Sequence, residues 1–180
     1  MNIQNKQLFR RVSVMLICLL PFLHGCAGVN FTFTGVNLDP RIKTFSVETF
    51  YNEAPDGPSN MGIDFTERLK DYFLRNTSLK MADSGTKGHL EFEGSINGYR
   101  VTPISPGAND LEVAEQQRLT VTVKVNFVNN FDDEKSFNQA FSFYYDFPAD
   151  QNVQDVENEA LDEIFEQILL DIFNKSVADW

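Results

Sequence analysis

The chain has 180 residues, with 15 Lys and Arg against 26 Asp and Glu, a net charge of −11 at pH 7 and 42% hydrophobic residues. That apolar share supports a packed core and excludes a disordered chain. The acidic balance excludes a nucleic-acid binder, whose surface must neutralise phosphates, and it resists an anionic membrane except through a lipid or a local basic patch.

The first 25 residues read as a secretory signal. Lys6, Arg10 and Arg11 make a positive start with no acid before Asp39. An apolar stretch from Val12 to Leu23 follows, broken by Ser13, Cys18 and Pro21. It is shorter than the roughly 20 apolar residues a membrane-spanning helix needs. Leu23-His24-Gly25-Cys26 then reads as a lipobox. Leu23 stands three before the Cys, and Gly25 supplies the small side chain that a signal peptidase needs before the cut. Cys18 is a poorer candidate because bulky Ile17 precedes it. The expectation is cleavage after Gly25 and an N-acyl diacylglyceryl lipid on Cys26, enough acyl chain for stable anchoring where a single chain is marginal. An ordinary cleaved signal with Cys26 as a bystander is the plainer alternative.

The mature chain of 155 residues suits one domain. It keeps 12 Lys and Arg against 26 acids, a net charge of −14. It has no Cys besides Cys26, hence no disulfide and no Cys nucleophile. Ala27 in place of Asp, and no acidic run in 27–30, favour the periplasmic face of the outer membrane.

Residues 26–42 read as a lipidated tether and lead-in, with a short strand at 31–35 ended by Gly35. Lys43 to Phe50 alternates as a strand. Asn52 to Asn60, with Pro55, Gly57 and Pro58, is a loop. Residues 59–77 read as a helix with an apolar stripe of Met61, Phe65, Leu69, Tyr72 and Phe73. Asp64–Arg68 and Asp71–Arg75 are expected ion pairs on its wet side. A short strand is expected from Leu79 to Ala82, then a turn at Asp83-Ser84-Gly85.

Three long strands follow. Leu90 to Thr102 alternates through Leu90, Phe92 and Ile96, with Gly94 and Gly98 weakening it or marking bulges. Pro103 to Glu115 is a loop. Arg118 to Val128 is the cleanest strand, with Leu119, Val121, Val123, Val125 and Phe127 facing one way. Phe137 to Tyr145 puts Phe137, Phe141, Phe143 and Tyr145 in phase. Strands joined in this way predict an antiparallel meander. The last element is a helix over Val153 to Val177, with a capping box at Asn152 and Asp155 and a stripe running from Val153 to Phe173. From residue 130 onward there are 13 acids and only Lys135 and Lys175 as bases.

The expected fold class is α+β: two amphipathic helices on one face of a mostly antiparallel sheet of four to five strands, in the order β-α-β-β-β-β-α. The expected organisation is a signal peptide at 1–25, a tether at 26–42 and one domain at 43–180.

No catalytic set is visible. His89 is the sole mature His and reads as an exposed loop residue, so a triad or a zinc site has too few partners. Asp132-Asp133-Glu134 lacks the spacing of a calcium loop and reads as an exposed acidic turn. No cofactor is expected apart from the covalent lipid.

The mature chain resembles the LptE-type lipopolysaccharide-assembly lipoproteins, especially their Bacteroidota form. The resemblance runs through FTFTG after the lipidated Cys, KTFSVETFYNEAP (43–55), FTERLKDYFLRNTSL (65–79), HLEFEGSINGYRVTP (89–103), RLTVTVKVNF (118–127), FSFYYDF (141–147) and DEIFEQILLDIFNKSVADW (162–180). It implies a non-enzymatic protein, lipid-anchored at the periplasmic face of the outer membrane. Such a protein sits partly inside the LptD β-barrel as a plug and helps insert lipopolysaccharide. Lipid A is anionic, so cations should contact it. Arg100, Arg118 and Lys124 on the middle strands are the candidates, and ordinary strand-surface charge is the plainer account of them. A periplasmic auxiliary lipoprotein of an ABC-type transporter is the rival reading. A surface glycan binder is disfavoured, because the single Trp is the terminal Trp180.

Overall fold

The computed structural model describes residues 38–104 and 115–178; the expected signal, the strand at 31–35 and most of the 103–115 loop lie outside them. Chain order is β1 (Thr44–Val47), β2 (Tyr51–Asn52), α1 (Met61–Asn76), β3 (Lys80–Met81), β4 (Leu90–Ile104), β5 (Gln116–Asn129), β6 (Phe137–Pro148) and α2 (Val153–Val177). A 3-10 turn at Asp133–Lys135 precedes β6. The sheet order is β3-β1-β4-β5-β6, with β2 also beside β4.

Alternation builds the centre of the sheet. On β5, Leu119, Val121, Val123, Val125 and Phe127 are fully buried, and the residues between them face away from the helices. The β4–β5–β6 meander is antiparallel, as expected. The other half corrects the expectation: β1 runs parallel to β3 and β4, and β2 runs parallel to β4. The sheet is therefore mixed and six-stranded.

Two local causes account for this. A chain that leaves β1, crosses as a helix and returns on the same side re-enters parallel, and α1 is that crossover. The run from Lys43 to Phe50 also does not stay one strand. The Glu48 amide still donates to the Phe92 carbonyl of β4 at 2.9 Å, but the Phe50 amide donates to the buried Thr66 hydroxyl on α1 at 2.9 Å, which draws the backbone off β4 between Glu48 and Tyr51.

Helix α1 buries Met61, Phe65, Leu69 and Phe73 as predicted. Gly62 is bare for a reason: a Cβ there would lie 2.3 Å from the Phe50 carbonyl oxygen. Arg68 pairs with Asp64 at 3.0 Å and reaches across to Asp162 of α2 at 2.5 Å. The expected Asp71–Arg75 ion pair is replaced by a bond from Arg75 Nε to the Asp71 backbone carbonyl at 3.2 Å.

Helix α2 has the predicted bounds but not the predicted cap. Asn152 makes no side-chain cap bond; its backbone carbonyl accepts the Asp155 amide at 3.0 Å instead. The helix packs on β5 and β6; it buries the predicted stripe from Ala160 to Phe173 and Phe165 besides, while Val153 and Val156 at its start are only half-buried.

Near the start of α2, the Tyr99 hydroxyl of β4 donates to Glu157 Oε1 at 2.6 Å. Burial first, and then this bond, push the Tyr99 phenol above its ordinary value near 10. A raised folded-state value means that the stabilisation is fully present below pH 10 and is lost as pH rises beyond it. Tyr99→Phe should cost about 1 kcal/mol near pH 8, and the loss should shrink above pH 10. Urea midpoints at the two pH values check this, and an equal deficit at both would refute it.

Candidate functional site, an open polar face of the sheet

Both helices cover one face of the sheet, and no described element covers the other. The register across β4, β5 and β6 sets out its rows. They are Thr102–Arg118–Asp146, Arg100–Thr120–Tyr144, Gly98–Thr122–Ser142 and Ser95–Lys124–Ala140. The last fully polar row is Glu93–Asn126–Asn138, where Asn126 Nδ2 donates to Glu93 at 2.6 Å.

All three predicted cations lie on this face, but they are not equivalent. Arg100 and Arg118 are diagonal neighbours on adjacent strands, a relation that places Cα atoms about 7–8 Å apart. Lys124 lies four residues along β5 from the Arg100 row, about 14 Å away at strand rise. Arg100 and Lys124 are exposed and make no ion pair among the described residues.

Arg118 is engaged. Its Nε and Nη2 donate to the two Asp146 oxygens at 2.7 and 2.8 Å, and its guanidinium lies 3.6 Å from the centroid of the Tyr144 ring. The hydrogen bonds to Asp146 push the Arg118 pKa up from its already high value. Tyr144 was not among the predicted site residues, although the pattern contained it. With Phe143 and Tyr145 in phase with the core, a large ring between them must point outward, and Tyr144 is 44% exposed.

At the start of β4 the structure corrects the reading of His89. It is half-buried, its Nδ1 accepts the Lys43 amide at 3.0 Å, and its ring meets Phe131 edge-on at 4.9 Å. It joins the lead-in to the β5–β6 turn. The acidic turn at 132–134 makes no metal site: among the described residues, no group of three or more His, Cys, Asp or Glu is placed to hold an ion.

The same end of the sheet carries a cleft of about 980 Å³ between the lead-in, that turn and the end of α2. Asp39 on its wall is held down to about 2, first by side-chain bonds from Arg41 at 2.6–3.1 Å. Acids and bases are interspersed there, so the cleft selects no charge sign. No described helix is long and apolar enough to cross a membrane. Leu23, Gly25 and Cys26 lie outside the described residues.

The family model described as "LptE: Lipopolysaccharide-assembly" matches residues 42–176, about three-quarters of the chain. No curated protein matches the sequence. Among solved structures, a hypothetical protein from Chlamydia trachomatis has a TM-score of 0.51 at 9% identity, covering 77% of this chain and 99% of its own. A minor lipoprotein from Acinetobacter baumannii has a TM-score of 0.48 at 12% identity, covering 74% and 91%. The first of these likenesses supports the fold alone.

Proposed function

Because the chain belongs to the LptE family of non-enzymatic lipopolysaccharide-assembly lipoproteins, we propose that it is the lipid-anchored partner of an LptD-type outer-membrane barrel. In this reading residues 1–25 are removed at the Leu23–Gly25 recognition sequence. Cys26 carries the lipid, and residues 26–42 tether the domain to the periplasmic face of the outer membrane. The domain enters the barrel lumen as a rigid plug and supports insertion of lipopolysaccharide. The polar sheet face suits a barrel interior that is itself polar, and Arg100, Arg118 and Lys124 form the surface turned toward lipid A. The family match over residues 42–176 carries the proposal.

Co-purification of the tagged, lipidated protein from outer membranes in mild detergent tests the partnership. A roughly one-to-one complex with a large barrel is expected. Recovery with an inner-membrane ABC complex would instead establish the transport-auxiliary reading. For the ligand, the triple change Arg100→Ala, Arg118→Ala, Lys124→Ala should weaken lipopolysaccharide binding. Unchanged binding would remove the cationic face from the proposal while leaving the barrel partnership to the first experiment.

A further inference from the structure

We infer that β6 pairs edge to edge with β6 of a second copy of this chain, antiparallel about a two-fold axis at Ala140. The Phe143 ring of each copy then seats in the cleft beside Phe137 of the other. Such a pair is a state of the protein apart from its barrel and is independent of that partnership.

Three observations carry the inference. First, β6 ends the sheet, and no described element pairs with its outer side. The Ala149 amide donates to the Glu115 carbonyl at 3.0 Å, which fixes the alternation back along the strand. Odd-numbered residues of β6 therefore bond to β5, and the backbone groups of Asn138, Ala140 and Ser142 point off the edge. Exposed edges are usually blunted with charge, Pro or a bulge. From Phe137 to Tyr145, β6 has no charged residue and no Pro, and its register with β5 is unbroken.

Second, the edge carries a knob. The Phe143 and Tyr144 rings stack at 5.5 Å and 14°. Adjacent strand residues point to opposite faces, and β5 occupies one flank, so these rings meet only by leaning around the free edge. Arg118 lies 3.6 Å from the Tyr144 centroid and holds that ring.

Third, the edge carries a matching hole. Phe137, Gln139 and Phe141 line the cleft of about 980 Å³, whose interspersed acids and bases suit an uncharged guest. A two-fold axis at Ala140 sets Asn138 against Ser142 of the second copy, Ala140 against itself, and Phe143 against Phe137. Knob and hole therefore meet at both ends, as an isologous contact requires. The facing pairs at 138, 140 and 142 exchange about six backbone hydrogen bonds. In a chain of net charge −11, no acid faces another within the paired stretch.

The test is sedimentation of the mature lipidated protein in mild detergent, across a protein concentration series at a fixed excess of micelles. The parent should dimerise. Ala140→Pro removes an outward N–H from each copy at an edge position that tolerates Pro, and it should weaken dimerisation about tenfold. Phe143→Ala removes the knob and should weaken dimerisation comparably. Ala140→Cys reads the register without depending on either variant. Facing Cα atoms in such a pair lie about 5.5 Å apart, within disulfide reach. Mild oxidation should therefore cross-link Ala140→Cys, and neither the parent nor Asp71→Cys on α1. Dimers lost in Ala140→Pro, with the Ala140→Cys cross-link formed, would establish the pairing. A monomeric parent with no such cross-link would overturn it. So would dimers that survive both Ala140→Pro and Phe143→Ala, because the lipid or another surface would then join the copies.

Discussion

Phe73→Ala is expected to lower the unfolding free energy by about 4 kcal/mol, the range for emptying a buried aromatic site. Phe73 is fully buried on α1, and its ring touches every layer of the domain. The centroid lies 5.6 Å from Phe45 of β1, 4.7 Å from Phe92 of β4 and 5.4 Å from Phe173 of α2. Removing it breaks three aromatic contacts and leaves a void where two helices meet the sheet. Those walls are held by other contacts, so they cannot close over it cheaply. A typical domain has about 5–15 kcal/mol in total, so this single change should bring the protein close to unfolding. Urea denaturation followed by circular dichroism checks it. A loss below about 1.5 kcal/mol, less than the transfer cost of the ring itself, would mean that α1 does not bind the sheet through Phe73.

Gly94→Ala is expected to destabilise by about 3 kcal/mol, at the upper end of ordinary overpacking. Local propensity predicts the opposite sign, because Ala in a strand interior is favoured over Gly by roughly 0.5–1 kcal/mol. The structure decides between them. An added Cβ at Gly94 would lie 2.1 Å from the Lys124 carbonyl oxygen and 2.6 Å from the Phe50 ring. The oxygen belongs to the neighbouring strand backbone and cannot swing aside. Relief therefore requires β4 and β5 to part at the centre of the sheet. The same urea experiment reads the outcome, and a gain in stability would show that Phe50 does not pack over Gly94.

The elements that could be read from the residues are those that repeat a single rule many times. Strand β5 alternates without a break, and α2 carries its apolar stripe through 25 residues; their bounds fell at or within two residues of the expected ones. Elements set by one distant partner could not be read. The break between β1 and β2 depends on Thr66, sixteen residues away from Phe50. The engagement of Arg118 depends on Asp146, twenty-eight residues on, which only the β5–β6 register places opposite it. The capping box at Asn152 was a correct local pattern that the backbone satisfied another way.

By itself, then, the sequence determined the three long strands, both helices, which side of β5 is core, and the family, because periodicity and residue type are local properties. The tertiary structure decided what the open face can do. Leu90, Phe92 and Ile96 of β4 face the core at even positions, and strict alternation would send Arg100 inward after them. A register shift between Ile96 and Gly98 inserts one residue, so Tyr99 takes the core side and Arg100 the outer one. A strand has period two, so a single extra residue exchanges its faces. Only pairing with β5 shows where that residue was inserted.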